Sequence, residues 1–259
     1  MVPSVPELQP AAEAAPAPHT RGRIFLSTEW RDLLMLNYEI DPALLQPFVP
    51  RGTELDSFEG TTYVSLVGLR FARTKLFGLI SVPFHTDFDE VNLRIYLRRR
   101  EGSEIRRGVM FIREIVSLPA VTLLARLAYA ENYRTLPLRH SINLTDSGGS
   151  IEYSWKSKQQ PFRIHAQTQG TPSLAARGTL EQFISEHYWG YSRSRNGSSL
   201  EYHVAHERWR IWRASNAAFE GDGAALYGSD FGSILSRPPR SAFIADGSAV
   251  LVYAARRID

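Results

Sequence analysis

One stretch of the chain, DFDEVNLRIYL over residues 87–97, carries side chains capable of chemistry at every second position. Side chains in an extended strand alternate between two faces, so Glu90, Asn92 and Arg94 share one face. The opposite face is aliphatic and indicates a hydrophobic core. An acid, an amide and a guanidinium in a row would orient a small polar ligand if they line a cavity. On an exposed sheet face the same residues would form only a weak ion pair.

The next predicted strand, GVMFIREIVSLP, adds Arg113 and Glu114 to mostly apolar surroundings. Adjacent side chains point to opposite faces, so only one of the two can join the face of Glu90. A shift of one residue in the hairpin register exchanges them. A charge buried there needs a partner, which Arg94 could provide for Glu114 or Glu90 for Arg113. Both pairings remain candidates.

Composition excludes several classes of protein and site. The chain has 259 residues, of which 43% are hydrophobic and 22% charged, as in ordinary globular proteins. It has no cysteine, so disulfides, thiolate catalysis and cysteine-bound metals are excluded. The closest histidine pair, His203 and His206, would point to opposite faces of a strand. No glycine-rich phosphate loop is present. We therefore expect no metal and no cofactor.

Charge and hydropathy patterns exclude two kinds of partner. Of the 30 basic residues 27 are arginine, and the densest cluster, over residues 98–107, alternates with glutamates around Gly102. This pattern is typical of a solvated hairpin tip and predicts no binding of nucleic acid. No window reaches the roughly 18 apolar residues that a membrane-spanning helix needs, and the start lacks a secretory signal. The sequence therefore predicts a cytoplasmic protein without membrane contact.

Strand-like periodicity dominates the chain. Residues 88–97 and 109–116 alternate as neighbouring strands, whereas Asp41 and Thr179 begin short predicted helices. No alternation of strand, helix and strand is found. We therefore predict a mainly β (α+β) fold, an antiparallel barrel or sandwich with a few flanking helices.

The sequence indicates one domain with an N-terminal extension. Residues 1–22 are rich in proline and alanine and are predicted to be a disordered tail. No linker interrupts the remainder. We therefore predict a single domain over residues 23–259.

Several segments resemble the uncharacterised YqjF-like family, which is grouped with the acetoacetate decarboxylase-like superfamily. They include EWRDLLMLNYEIDPALLQPFVP, PFHTDFDEVNLRIYLRR, RRGVMFIREIVSLPA, HVAHERW, LYGSDF and ADGSAVLV, and the resemblance runs from about Phe25 to the C terminus. It implies a closed β-barrel around a pocket for an acidic keto compound. It also implies that Glu90 and Glu114 are pocket glutamates with catalytic roles. Asn92, Arg94 and Arg113 are then the candidate ligand-binding residues.

Acetoacetate decarboxylases use a lysine that forms a Schiff base with the substrate ketone. Their Arg-Glu motif precedes this lysine by a few residues. Here Arg113, Glu114 and Pro119 resemble the motif, but Ala120 and Val121 stand where the lysines would be. The chain contains three lysines, at positions 75, 156 and 158, and none is expected in the pocket. The resemblance therefore implies the pocket without the Schiff-base chemistry.

Two functions follow as hypotheses. The first is a small-molecule-binding barrel for a carboxylate or keto compound; as an enzyme, it would use Glu90 or Glu114 in acid/base or lyase-like chemistry. The second is a non-catalytic structural or assembly module that kept the barrel. A homo-oligomer is compatible with either hypothesis.

Overall fold

The computed structural model describes residues 22–81, 86–118, 133–194 and 196–259, and most of these residues are in strands. The predicted tail over residues 1–22 falls almost wholly outside this part of the chain, as do Pro119, Ala120 and Val121. The strands are β1 (Ile24–Ile40), β2 (Glu54–Leu55), β3 (Thr62–Leu76), β4 (Ile80–Ser81), β5 (Phe88–Glu101), β6 (Glu104–Val116), β7 (Tyr133–Thr135), β8 (Leu138–Thr145), β9 (Gly148–Ser157), β10 (Gln160–Gln169), β11 (Ser173–Leu174), β12 (Trp189–Arg193), β13 (Ser199–His206), β14 (Arg210–Glu220), β15 (Ser241–Tyr253) and β16 (Arg256–Arg257).

The helices of the described residues are short. They are α1 (Pro42–Leu45), α2 (Leu180–Ser185), α3 (Gly223–Tyr227) and α4 (Ser229–Leu235), with a 3₁₀ turn at Gln46–Phe48. Both predicted helix starts are confirmed, because the side chains of Asp41 and Thr179 accept hydrogen bonds from the backbone N–H groups of Ala43 and Gln182. Within these residues no helix has the length and apolar character needed to cross a bilayer.

Seven strands pair in a continuous ring in the order β1, β3, β5, β6, β12, β13 and β15, because β13 pairs with both β12 and β15. The prediction of a mainly β fold with a few helices is confirmed. The expectation of an antiparallel sheet is wrong at two of the described pairs, because β6 runs parallel to β12 within the ring and to the short strand β7 beside it. About 70 residues separate β6 from β12, and a connection of that length can return the chain in the same direction.

A second group of strands covers the outside of the ring. Strands β14, β10, β9 and β8 continue from β15, and their apolar side chains pack against the outer faces of β1, β3 and β5. The approach is closest at Gly68 of β3, where a Cβ atom would lie 2.4 Å from the ring of Tyr153. Glycine is therefore required at this position by packing.

Strand β5 is buried on both faces. The predicted alternation is confirmed, because Val91, Leu93 and Ile95 enter the core between the two groups of strands. Tyr96 instead joins a cluster on the inner face of the ring, together with Phe183 and Ile184 of α2. The face that carries Glu90, Asn92 and Arg94 is therefore turned toward the interior of the ring.

Candidate functional site

A cavity of about 160 Å³ lies on the inner face of the strand ring. Each of the seven ring strands contributes to its wall, as do the end of α2 and the segment that follows it. Most of the wall is apolar, and the polar groups come mainly from β5, from β6 and from the end near α2. The lining residues are Phe25, Leu26, Trp30, Leu33, Val67, Leu69, Phe71, Thr74, Leu76, Phe88, Glu90, Asn92, Arg94, Val109, Phe111, Glu114, Tyr133, Ile184, Ser185, His187, Trp189, Gly190, Tyr202, Val204, His206, Trp209 and Val252.

The polar row of β5 reaches this cavity. Glu90, Asn92 and Arg94 are 2%, 3% and 7% exposed, and all three line the wall. An apolar cavity with a few converging polar groups is the usual form of a small-molecule site. The inward orientation that the row requires for ligand binding is therefore present.

The register of β5 and β6 brings Glu114, rather than Arg113, to the same face. Asn92 pairs with Glu114 and Leu93 with Arg113, so the side chain of Glu114 joins the polar row and lines the cavity. The guanidinium of Arg113 donates to the carbonyl oxygen of Leu226. The structure therefore places four of the five candidate site residues together and leaves Arg113 on the outer face of the ring.

Glu90 is a buried carboxyl group in partly polar surroundings. Asn92 Nδ2 donates a hydrogen bond to Glu90 Oε1 at 2.8 Å, and Tyr133 of β7 provides a second hydrogen bond. Within the described part of the chain Glu90 Oε2 has no hydrogen-bond partner. Burial raises the pKa of Glu90 to about 7, against the opposing effects of Asn92, Tyr133 and Arg94. The carboxyl group can therefore hold or release a proton near neutral pH.

Arg94 is a buried cation that forms no ion pair with any described residue. It donates hydrogen bonds to the hydroxyl of Tyr96 at 3.4 Å, to the sulfur of Met35 at 3.6 Å and to the carbonyl of Ile184 at 3.3 Å. These acceptors are neutral. A buried charge with only neutral partners is costly, so this guanidinium offers its forked donors to an anion in the cavity.

The polar residues that sequence reasoning missed include Tyr133 and His187, which line the cavity, and Asp56, which lies next to His187. Tyr133 lies opposite Glu114 in the parallel pair of β6 and β7. His187 enters the cavity wall from the segment between α2 and β12, and Asp56 Oδ2 lies 3.7 Å from His187 Nε2. These contacts join segments that are far apart in the chain, and no local pattern indicates them.

A wide groove on the outer surface borders the cavity. It has a volume of about 970 Å³, and Trp189 and His206 line both the groove and the cavity. His206 stacks on Trp209 with ring centroids 4.4 Å apart. Trp189 and His206 therefore lie between the cavity and the groove. In the described residues no three His, Asp or Glu side chains are grouped to hold a metal ion.

Comparison with solved structures shows the fold. Acetoacetate decarboxylase from Legionella pneumophila is 14% identical, with a TM-score of 0.66 over 98% of each chain. An acetoacetate decarboxylase-like enzyme from Sphingomonas wittichii RW1 is 12% identical, with a TM-score of 0.63 over 91% of this chain and 93% of that one. The enduracididine biosynthesis enzyme MppR in complex with pyruvate is 11% identical, with a TM-score of 0.66 over 94% and 93%.

Comparison of sequences gives the family. Uncharacterized protein YqjF from Bacillus subtilis (strain 168) is 26% identical over 210 residues, which are 78% of this chain and 83% of that protein. The family profile described as DUF2071, uncharacterized conserved protein, matches residues 27–249. The chain therefore belongs to the DUF2071 family, whose YqjF-like character the sequence indicated.

Proposed function

We propose that this protein binds a small oxo acid in the cavity, with the ring of strands acting as a closed barrel around it. The observation that carries the proposal is the guanidinium of Arg94, which is buried in the cavity wall with only neutral hydrogen-bond partners among the described residues. A carboxylate would give this cation a charged partner and would accept two parallel hydrogen bonds.

The size of the cavity favours a small ligand. An engineered apolar cavity of about 150 Å³ holds one benzene molecule, which has six non-hydrogen atoms. The cavity here is about 160 Å³. Pyruvate and acetoacetate, with six and seven non-hydrogen atoms, are of this size. The structural neighbour MppR is complexed with pyruvate, which supports the same class of ligand for this chain.

The polar row also provides acid/base groups. Glu90 can hold a proton near neutral pH because burial raises its pKa to about 7. A protonated carboxyl group beside a bound carbonyl donates a hydrogen bond to the oxygen and stabilises negative charge that develops there. Glu114 lies next to Asn92 in the same wall and supplies a second carboxyl group. We therefore assign to Glu90 the role of proton donor and to Arg94 that of carboxylate anchor.

This chemistry does not involve a Schiff base. The chain contains three lysines, at positions 75, 156 and 158. All three are exposed, and none lines the cavity. An amine outside the cavity cannot attack the carbonyl of a ligand that is bound inside it. Reduction with borohydride in the presence of acetoacetate should therefore leave the mass of the protein unchanged. A trapped adduct on any lysine would contradict this part of the proposal.

Calorimetric titration with pyruvate and acetoacetate tests the binding site. We expect both acids to bind to the unmodified protein, and the substitution Arg94→Gln to weaken binding by about 10- to 100-fold, because hydrogen bonds to charged groups contribute about 1.5–3 kcal/mol. The matched control is Arg70→Gln, because Arg70 pairs with Asp32 on the outer face of β3, 3.1 Å away. Equal loss of affinity in both variants, or no binding of either acid to the unmodified protein, would contradict the proposal.

A further inference from the structure

His187 is a buried imidazole that the proposed roles of Glu90 and Arg94 leave unused. It lies two residues after α2, its side chain is 3% exposed, and it lines the cavity. Its ring packs on Tyr96 at a centroid distance of 4.8 Å and edge-on to Phe183 at 5.3 Å. The imidazole is therefore held firmly, with its plane fixed by two aromatic rings.

Neither ring nitrogen of His187 has a hydrogen-bond partner in the part of the chain that the structure describes. Buried polar groups without partners are rare in native proteins because desolvation is then uncompensated. A histidine that is buried in a cavity wall and lacks partners is therefore well placed to bond a molecule in that cavity. This observation is independent of the geometry of Arg94 and Glu90.

A carboxylate lies behind the imidazole. Asp56 Oδ2 is 3.7 Å from His187 Nε2 and accepts a hydrogen bond from Arg107 Nε at 2.6 Å. The position of Asp56 is fixed by the hydrogen bond from its backbone N–H to the carbonyl of Tyr96. A carboxylate on the Nε2 side favours the tautomer that carries its proton on Nε2. The lone pair of Nδ1 is then free to accept a proton.

Arg94 connects this histidine to the polar row of β5. Its guanidinium donates to the carbonyl of Ile184, three residues before His187, and to the hydroxyl of Tyr96, on which the imidazole packs. Glu90 lies four residues before Arg94 on the same face of the strand, about 13 Å along the backbone. The positive charge of Arg94 acts to lower the pKa values of both Glu90 and His187. An acid bound to Arg94 would therefore share the cavity with both Glu90 and His187.

The protonation states of the two groups are complementary. Burial lowers the pKa of His187 to about 4, although the neighbouring Asp56 opposes the shift. Burial raises the pKa of Glu90 to about 7. Between these pH values the carboxyl group carries a proton while the imidazole is neutral. Pairs of groups whose environments separate their pKa values in this way are typical of acid/base catalysis.

We propose that His187 removes a proton from the carbon next to the carbonyl of an oxo acid anchored on Arg94, while Glu90 protonates the carbonyl oxygen. The C–H bond breaks, and its electron pair forms the carbon–carbon double bond of an enol. The proton goes to Nδ1 of His187, and the carbonyl oxygen takes the proton of Glu90. After the imidazolium of His187 exchanges its proton with water, the reverse steps return the oxo acid with a hydrogen from solvent. This inference rests on the proposed function, because it needs the acid to bind at Arg94.

Exchange of the methyl hydrogens of pyruvate for deuterium, followed by proton NMR in D₂O, measures this step. We expect the unmodified protein to accelerate exchange at a pH between the pKa values of His187 and Glu90, about 4 and about 7. Variant His187→Gln should exchange at least about 100-fold more slowly, as is usual for loss of a general base, and should bind pyruvate with affinity changed less than about threefold. The matched control is His165→Gln, because His165 also pairs with a carboxylate, Glu220 at 3.0 Å, but lies on β10 outside the ring.

The results separate this inference from the proposed function. Absence of pyruvate binding to the unmodified protein would overturn both. Binding without accelerated exchange, or equal exchange in His187→Gln, would overturn the role of His187 alone. If His187→Gln does not fold, Asp56→Asn serves instead, since Asp56 acts as a positioning residue and its loss should slow exchange and displace the pH profile. An unchanged profile in folded Asp56→Asn would overturn the inference.

Discussion

Glu90→Gln should change how the stability of the protein depends on pH. In the native state burial raises the pKa of Glu90 from 4.5 to about 7. Between these values the folded protein binds more protons at this site than the unfolded chain does, so the free energy of unfolding falls as pH rises. The stabilisation is complete below about pH 4.5 and is lost as pH rises through about 7. Glutamine stays neutral and removes this dependence.

The expected magnitude follows from the size of the shift. One pKa unit corresponds to about 1.4 kcal/mol, so a rise from 4.5 to about 7 corresponds to roughly 3 kcal/mol. His187 acts in the opposite direction. Its lowered pKa of about 4 means that stability is lost as pH falls from 6.5 through 4. The two contributions largely cancel in the unmodified protein between about pH 4.5 and 6.5, and Glu90→Gln should reveal the contribution of His187.

Urea unfolding of both proteins at pH values from about 4.5 to 8 measures the difference. Relative to the unmodified protein, Glu90→Gln should gain roughly 3 kcal/mol in free energy of unfolding across this interval. The substituted amide keeps an oxygen acceptor for Asn92, so the hydrogen bond that Asn92 donates at this position is preserved. The matched control is Glu39→Gln, because Glu39 is exposed and pairs with Arg240 at the surface. Parallel curves for Glu90→Gln and the unmodified protein would refute the assigned burial of a titrating carboxyl group.

Three further substitutions test the interior, each by urea unfolding. Arg94→Met should raise the free energy of unfolding by about 1 kcal/mol or more and abolish binding of pyruvate, because it removes a buried charge whose hydrogen-bond partners among the described residues are all neutral; a destabilised variant would contradict this. Gly68→Ala should lower the free energy of unfolding by about 1–3 kcal/mol, since its Cβ would lie 2.4 Å from Tyr153. An unchanged free energy of unfolding would show that the packed strands can move apart at no cost. Glu201→Gln should lower the free energy of unfolding by roughly 3 kcal/mol, because the fully buried carboxylate pairs with three arginines. A decrease within experimental error would show that water takes the place of the carboxylate as the partner of these arginines.

The polar row could be predicted because it depends on local rules. Strand alternation alone places Glu90, Asn92 and Arg94 on one face, and the structure keeps them there. The capping roles of Asp41 and Thr179 likewise follow from side chains that bond their own helix starts. Whether the row faces a cavity or solvent is not a local property, since the alternation is the same in both cases.

The register of the β5–β6 hairpin could not be predicted because it contains an irregularity. Leu93 pairs with Arg113, but the next residue, Arg94, pairs with Phe111, so the register shifts by one residue at this point. Such a bulge moves every later pair by one position and is not marked by any glycine or proline here. The hairpin itself is also longer than predicted. Its arginines at positions 99 and 106 pair with buried Glu201 of β13, a contact between segments about 100 residues apart.

His187 and Asp56 join the site through contacts that no local motif marks. His187 reaches the cavity because the chain crosses from α2 to β12, which then pairs in parallel with β6. Asp56 reaches His187 because its backbone bonds to Tyr96 of β5. Each contact depends on the completed ring of strands, so neither could be obtained from spacing along the sequence.

The same burial that makes this site costly also makes it selective. Arg94 donates to neutral acceptors, and Glu90 Oε2 has no hydrogen-bond partner among the described residues, so in the absence of an anion both groups lower the stability of the fold. If the two groups lay on the outside of the ring, water would solvate them and remove this cost, but it would also weaken their attraction for a carboxylate. A chain that keeps these groups buried gives up stability for the ability to hold a charged ligand in a low-dielectric interior. The cost therefore argues for a ligand-binding role over a purely structural one.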